Sequence, residues 1–218
     1  MRFNLPRLIG ITGKAGAGKD TLADYLVSRF GYRKYSLSSP LKRLLNERFG
    51  WSDWQWQDRE WKERPAITGM FEAFGQVGIQ DPALSPRQLA QWLGTEVGRY
   101  LGGDDVWVNM MEREWRSLNE TNTQTFGELP RMVVPDVRFD NEARRIHLLG
   151  GVVLRVVRDG VSVVPAHVSE AGVSDALVNV QVVNYVDIVT FLRESVYALE
   201  ICPRGEAGDG GPLESGDL

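Results

Sequence analysis

Residues 13–21 read Gly-Lys-Ala-Gly-Ala-Gly-Lys-Asp-Thr, and they follow the short apolar run Leu8-Ile9-Gly10-Ile11. Gly13, Gly18 and Lys19 meet the spacing G-x-x-x-x-G-K. Apolar residues then recur at Leu22, Ala23, Leu26, Val27 and Phe30, a helical spacing. A buried strand, a glycine-rich turn and a helix therefore stand in the order that a phosphate-cradling loop requires. Glycine lets successive backbone N–H groups turn inward, and the first turn of the helix adds unpaired N–H groups and the positive end of its dipole. A glycine-rich turn without a ligand is the bland alternative, but here the residues and their context agree.

The predicted phosphate contacts are Gly13, Lys14, Ala15, Gly16, Ala17, Gly18, Lys19, Asp20 and Thr21, with Lys19 as a mobile point charge for the β- and γ-phosphates. Such loops commonly place Ser or Thr after the lysine, where its hydroxyl binds magnesium. Asp20 stands there instead. Its carboxylate can serve as a metal ligand, directly or through water, or cap the helix.

A second acid closes the apolar strand Met132-Val133-Val134-Pro135-Asp136. Asp136 is a candidate for the magnesium shell or for orienting an acceptor, and Arg138 for neutralising charge on a transferring phosphoryl group. A helix cap and a surface pair are the structural alternatives. Asp140 and Glu142 read as cap and dipole residues of the next helix.

Further strands are expected at 32–37, 152–157 and 178–183, and further helices at about 40–49, 86–100, 104–118, 141–149 and 186–199. Ser85 and Pro86 suit the start of the 86–100 helix. Strands alternating with helices predict an α/β fold with a parallel sheet covered on both faces. Residues 51–82 hold Trp51, Trp54, Trp56 and Trp61 among charges and read as an irregular or partly helical insertion. From Pro203 the chain is rich in glycine and acid, and 203–218 is expected to be a disordered acidic tail.

Composition narrows the setting. With 218 residues and 43% hydrophobic content the chain can fill one core, and a net charge of −4 gives no general attraction to nucleic acid. The tail sets Arg204 against Glu206, Asp209, Glu214 and Asp217, so the body is nearer neutrality than the whole. The single Cys202 allows no intrachain disulfide and fits a reducing cytoplasm. No run approaches the ~18 apolar residues of a membrane span, so no membrane partner is expected.

Taken together these segments resemble the deoxynucleoside monophosphate kinases of tailed bacteriophages. The resemblance rests on GKAGAGKDT, SPRQLAQWLGTEVGR at 85–99, VWVNM at 106–110, VVPDVRFDNEARRI at 133–146, VVRDG at 156–160 and AHVSEAG at 166–172. It implies a P-loop NTPase with a nucleoside-monophosphate-kinase-like three-layer sandwich over 1–202, carrying an acceptor-binding insertion at about 51–120. It further implies ATP and Mg2+ as cofactors, a deoxynucleotide acceptor, and the cytoplasm of an infected host cell. Carried over by position, Lys42, Arg87 and Arg138 are candidates for phosphate contact, Arg158 for closing over ATP, and His167 and Glu170 for the active cleft.

On the acceptor side, Arg87, Gln88, Gln91 and Thr95 fall on one face at helical spacing, which suits a phosphate and a base edge or a solvated surface. Trp92 and Trp107 read first as core, with Trp107 also kept as a substrate-side candidate. His147 reads as structural. Related phage kinases are implied to phosphorylate the hydroxymethyl group of 5-hydroxymethyluracil within DNA. For that acceptor the tryptophans, with Arg59, Lys62 and Arg64, would stack bases and contact phosphates. A non-catalytic nucleotide switch is a third reading, but the chain lacks an N-K-x-D motif. A homodimer is left open.

Overall fold

The structure is a computed structural model that describes residues 4–65, 84–125, 129–158, 172–185 and 187–202. His167, Glu170, the expected tail at 203–218 and most of the tryptophan-rich insertion beyond Pro65 lie outside the described residues. The chain divides into two compact units, Met1–Leu37 with Val108–Leu218, and Ser38–Trp107.

The first unit is built on β1 (Leu8–Thr12), β2 (Arg33–Lys34), β3 (Met132–Val134), β4 (Val152–Val157) and β5 (Val180–Val183), all parallel, in the order β2-β3-β1-β4-β5. All five residues of β1 are buried, as a central strand covered on both faces requires. Strand alternation sorts the core into two layers. Ile9, Ile11, Leu154 and Val156 pack with Leu22, Ala23 and Leu26 of α1 (Lys19–Phe30) and with Phe191 and Leu199 of α8 (Ile188–Ile201). Leu8, Met132, Val134 and Val153 face the other way, against Met111 and Trp115 of α6 (Val106–Thr125) and Ala143 and Ile146 of α7 (Asp140–Leu148). Helix, sheet and helix thus form the expected three layers. The strand expected at 32–37 shrinks to two residues. Tyr35 N still bonds Val133 O at 2.9 Å, but the chain then turns at Ser36 and Leu37 toward Asp136.

Glu112 accepts from Arg116 Nη2, one turn on in α6, at 2.6 Å, and from Arg145 of α7, which ties the two helices together. Burial pushes its carboxyl up, but the hydrogen bonds from the two guanidinium groups outweigh it and hold its pKa below the ordinary 4.5. A depressed folded-state pKa contributes stability above the unfolded value and loses it as pH falls through the folded one. Glu112→Gln is therefore expected to cost about 1 kcal/mol at pH 7. In thermal melts the gap from wild type should close below pH 4.5. A gap as wide at pH 3 as at pH 7 would refute the ion-pair account.

The second unit holds α2 (Ser39–Phe49), a 3-10 turn at Gln55–Gln57, α3 (Arg59–Glu63), α4 (Pro86–Trp92), a π-helical turn at Leu93–Val97 and α5 (Gly98–Gly102). Ser85 caps α4 as expected, its Oγ accepting from Gln88 N at 3.2 Å while Gln88 Oε1 accepts from Ser85 N at 2.9 Å. The core buries Leu41, Leu45, Leu89 and Trp56, with half-buried aromatics packed around them. Trp51, Trp56 and Trp61 meet edge to face with centroids 5.1–5.7 Å apart, and Trp51 stacks on Phe49 at 4.6 Å. The described part of the insertion is therefore ordered by packing of its own.

Candidate active site

Parallel pairing decides where the loop and the second acid stand. Gly10 pairs with Val134, and Val137 N donates to Ile11 O at 3.2 Å, so Asp136 lies alongside the carboxyl end of β1. Ligands of open parallel sheets gather at such strand ends. Gly13, Gly16 and Gly18 all have positive φ, and the loop closes with Ala17 N donating to Lys14 O at 3.2 Å. Leu22 N then bonds Gly18 O at 3.0 Å and starts α1.

Lys19 folds back across this loop, its Nζ donating to Gly13 O at 2.6 Å and Lys14 O at 2.7 Å. The ammonium stands within the ring of backbone it would share with a phosphate. A cavity of about 400 Å³ opens beside it, lined by Gly16, Gly18, Lys19, Asp20, Thr21 and Arg158 among the sequence candidates. Gly13, Lys14, Ala15 and Ala17 are in the loop but not among its lining residues. Asn184, Tyr185, Ile188 and Phe191 complete the wall and were not anticipated. Their signal was positional: Asn184 and Tyr185 directly follow β5, at a carboxyl strand end.

Asp20 is exposed in the first turn of α1 and pairs with Lys34 Nζ at 2.9 Å. The same ammonium bonds Asp24 at 2.9 Å. Burial pulls the Lys34 pKa down, but the two carboxylates outweigh it and raise it above its ordinary value. Asp136 Oδ2 accepts from Ser36 Oγ at 2.6 Å and its Oδ1 from Leu37 N at 2.9 Å, which fixes the plane of the carboxylate. Arg138 is half-buried, and its backbone N–H donates to Glu142 Oε2 at 2.8 Å. Glu142, itself buried, also accepts from Phe139 N at 3.1 Å, so it caps α7 as expected. Asp140 accepts from Ser174 N at 2.8 Å and from the Ser174 hydroxyl, and these bonds depress its pKa.

Among the described residues no three His, Cys, Asp or Glu side chains cluster to hold a metal ion. Magnesium usually binds through one or two carboxylates together with substrate phosphates, so Asp20 and Asp136 beside a phosphate loop suit it without such a cluster.

In the second unit, Arg87 Nε lies 2.8 Å from Glu63 Oε1. Lys42 Nζ stands 5.7 Å above the Trp56 ring. Gln88 is engaged in the α4 cap. The α-helical register that put Thr95 on the face of Arg87 and Gln91 is interrupted, because the π turn inserts an extra residue at Leu93–Val97. Trp107 donates from Nε1 to Gly94 O at 2.7 Å and packs with the aromatic core. It supports the turn, as its core reading implied.

A family model described as deoxynucleotide monophosphate kinase matches residues 58–194. A protein of Acanthamoeba polyphaga mimivirus with a provisional deoxynucleotide monophosphate kinase designation is 33% identical over 171 residues, covering 75% of this chain and 80% of the relative. The chain belongs to the deoxynucleotide monophosphate kinase family. The deoxynucleoside-5'-monophosphate kinase of Escherichia phage T5 is 26% identical, with 87% of this chain and 94% of that one covered. Among solved structures, a Campylobacter jejuni dephospho-CoA kinase matches with a TM-score of 0.47 and 12% identity over 88% of this chain and 94% of its own. That likeness is too loose to bear on function. The family match begins after the glycine loop, so the loop and the match are independent observations. As a member of a kinase family the chain is a phosphotransferase with ATP as phosphate donor. Among the described residues no helix is long and apolar enough to cross a membrane.

Proposed function

We propose that this chain transfers the γ-phosphoryl group of ATP to a deoxynucleoside monophosphate. The observation that carries the reading is the glycine loop with Lys19, opening on a cavity that also has Arg158 in its wall. The loop amides and Lys19 hold the β- and γ-phosphates, and Arg158 closes over the nucleotide. Asp20 and Asp136 are the residues that would hold Mg2+, which when bound neutralises phosphate charge. Asp136, its plane fixed by Ser36 and Leu37, orients the acceptor. The Arg138 guanidinium neutralises charge developing on the transferring group. Catalysis of this kind is positioning and electrostatics, with no covalent enzyme intermediate.

Acceptor recognition is assigned to the second unit. Arg87 already faces a carboxylate, Glu63, and a guanidinium that pairs with one oxyanion suits another, such as the monophosphate. Gln91, one turn on from Arg87 in α4, and Lys42 supply further polar groups, whereas Thr95 lies in the π turn that leaves their register. The DNA reading relied on tryptophans as stacking platforms, but Trp51, Trp56 and Trp61 pack on one another, leaving Trp54 at 68% exposure.

The test is to incubate the protein with γ-labelled ATP and magnesium, offering each deoxynucleoside monophosphate separately and 5-hydroxymethyluracil DNA in another tube. Label is expected in a deoxynucleoside diphosphate. Label on DNA alone would overturn the monophosphate reading, and label on neither would remove both acceptors.

A further inference from the structure

Asn184 stands at the end of β5, and its backbone N–H donates to Val157 O at 2.7 Å. Strand pairing therefore fixes its position. Its side-chain Nδ2 donates to Ala17 O at 2.7 Å, joining residues 167 apart in sequence. Ala17 is 1% exposed, so water does not compete for that carbonyl. The same nitrogen lies 2.4 Å from where a Cβ on Gly18 would stand, and Gly18 has φ +105°. The carboxamide and the 17–18 peptide are built against each other, at a contact only glycine permits.

A trans peptide is planar, so the carbonyl of Ala17 and the N–H of Gly18 point in opposite directions. Holding the carbonyl on Asn184 aims the Gly18 N–H away from β5. That N–H belongs to the run of loop donors expected to cradle phosphate. We propose that Asn184 is a positioning residue for phosphate binding, setting the Ala17–Gly18 peptide so that the Gly18 N–H faces the triphosphate. The inference rests on the ATP-site reading above. Nothing in the motif G-x-x-x-x-G-K specifies this partner.

The experiment compares the 218-residue wild-type chain with Asn184→Ala, measuring dissociation constants for ATP, inorganic tripolyphosphate and adenosine by calorimetry with magnesium present. Losing one hydrogen bond that orients a buried peptide should weaken ATP and tripolyphosphate by about tenfold each. Adenosine affinity should stay near wild type, while the ligand-free melting temperature should fall by a few degrees because the Ala17 carbonyl loses its donor. Weakened adenosine with unchanged tripolyphosphate would make Asn184 a base contact and overturn the proposal. A lower melting temperature with unchanged tripolyphosphate would reduce it to a structural tie and also overturn it. Should the alanine variant fail to fold, Asn184→Leu, close in shape and uncharged, replaces it with the same expectations. If the wild-type chain binds neither ATP nor tripolyphosphate, the ATP-site reading itself falls; if it binds both and the variant binds them equally, only the role of Asn184 falls.

Discussion

Lys19→Ala is expected to slow phosphoryl transfer by about 100- to 1,000-fold, judged by the cost of removing one preorganised charge-stabilising donor from a reaction site. The residue does two things in this structure. It places a positive charge inside the loop, and it bridges the carbonyls of Gly13 and Lys14 at 2.6 and 2.7 Å. A phosphate entering the loop offers its Nζ stronger, charged acceptors than those carbonyls, so the ammonium is poised to be handed over. The bridge is partly exposed and contributes little to folding. The variant should therefore melt within a few degrees of wild type while ADP release in the presence of acceptor nearly stops. Near-normal turnover in a folded variant would remove the loop from the mechanism.

Gly13→Ala is expected to be the most damaging single-methyl change in the loop. A Cβ at this position would stand 2.2 Å from Val156 O and 3.2 Å from Val156 C, and φ is +139°. Both opposing atoms are backbone of β4, which pairs with β1 from Ile9 to Thr12, so neither can swing aside as a side-chain tip would. The chain must open the β1–β4 pairing or reroute the loop. A loss of roughly 2–4 kcal/mol is expected from the combined clash and backbone strain. Weaker ATP binding should accompany it, because the loop amides leave their places. Denaturant unfolding measures the first and calorimetry the second. A variant as stable as wild type would show that Gly13 is not held in this geometry.

The parts legible in advance share one property: their signals are local. Leu8 to Ile11, the glycines and the apolar face of α1 sit within one stretch of chain, so the strand, loop and helix could be read together. The position of Asp136 was legible because a buried parallel strand ending in an acid presents it at the carboxyl end of the sheet. Ser85 and Glu142 as caps follow from the same short-range chemistry. The tryptophans were harder. Scattered among charges, Trp51, Trp56 and Trp61 break any period, yet they form one cluster because a 3-10 turn and α3 bring them round to face each other. The π turn at Leu93–Val97 was hidden for a related reason. Its support, the Trp107 indole on Gly94 O, comes from α6, beyond α5, rather than from its own residues.

The sequence by itself determined that residues 13–21 form a glycine-rich loop between a buried strand and a helix, with Lys19 at the start of that helix. Steric freedom at glycine and the strand–helix context are both local, so that much could be read from one stretch of chain. Only the tertiary structure decided what holds the loop in shape. Strand order β2-β3-β1-β4-β5 sets Val156 against Gly13, Asn184 against Ala17, and Ser36 with Leu37 on Asp136. Parallel strands pair only after long crossovers, so these partners lie far apart along the chain and carry no shared local pattern.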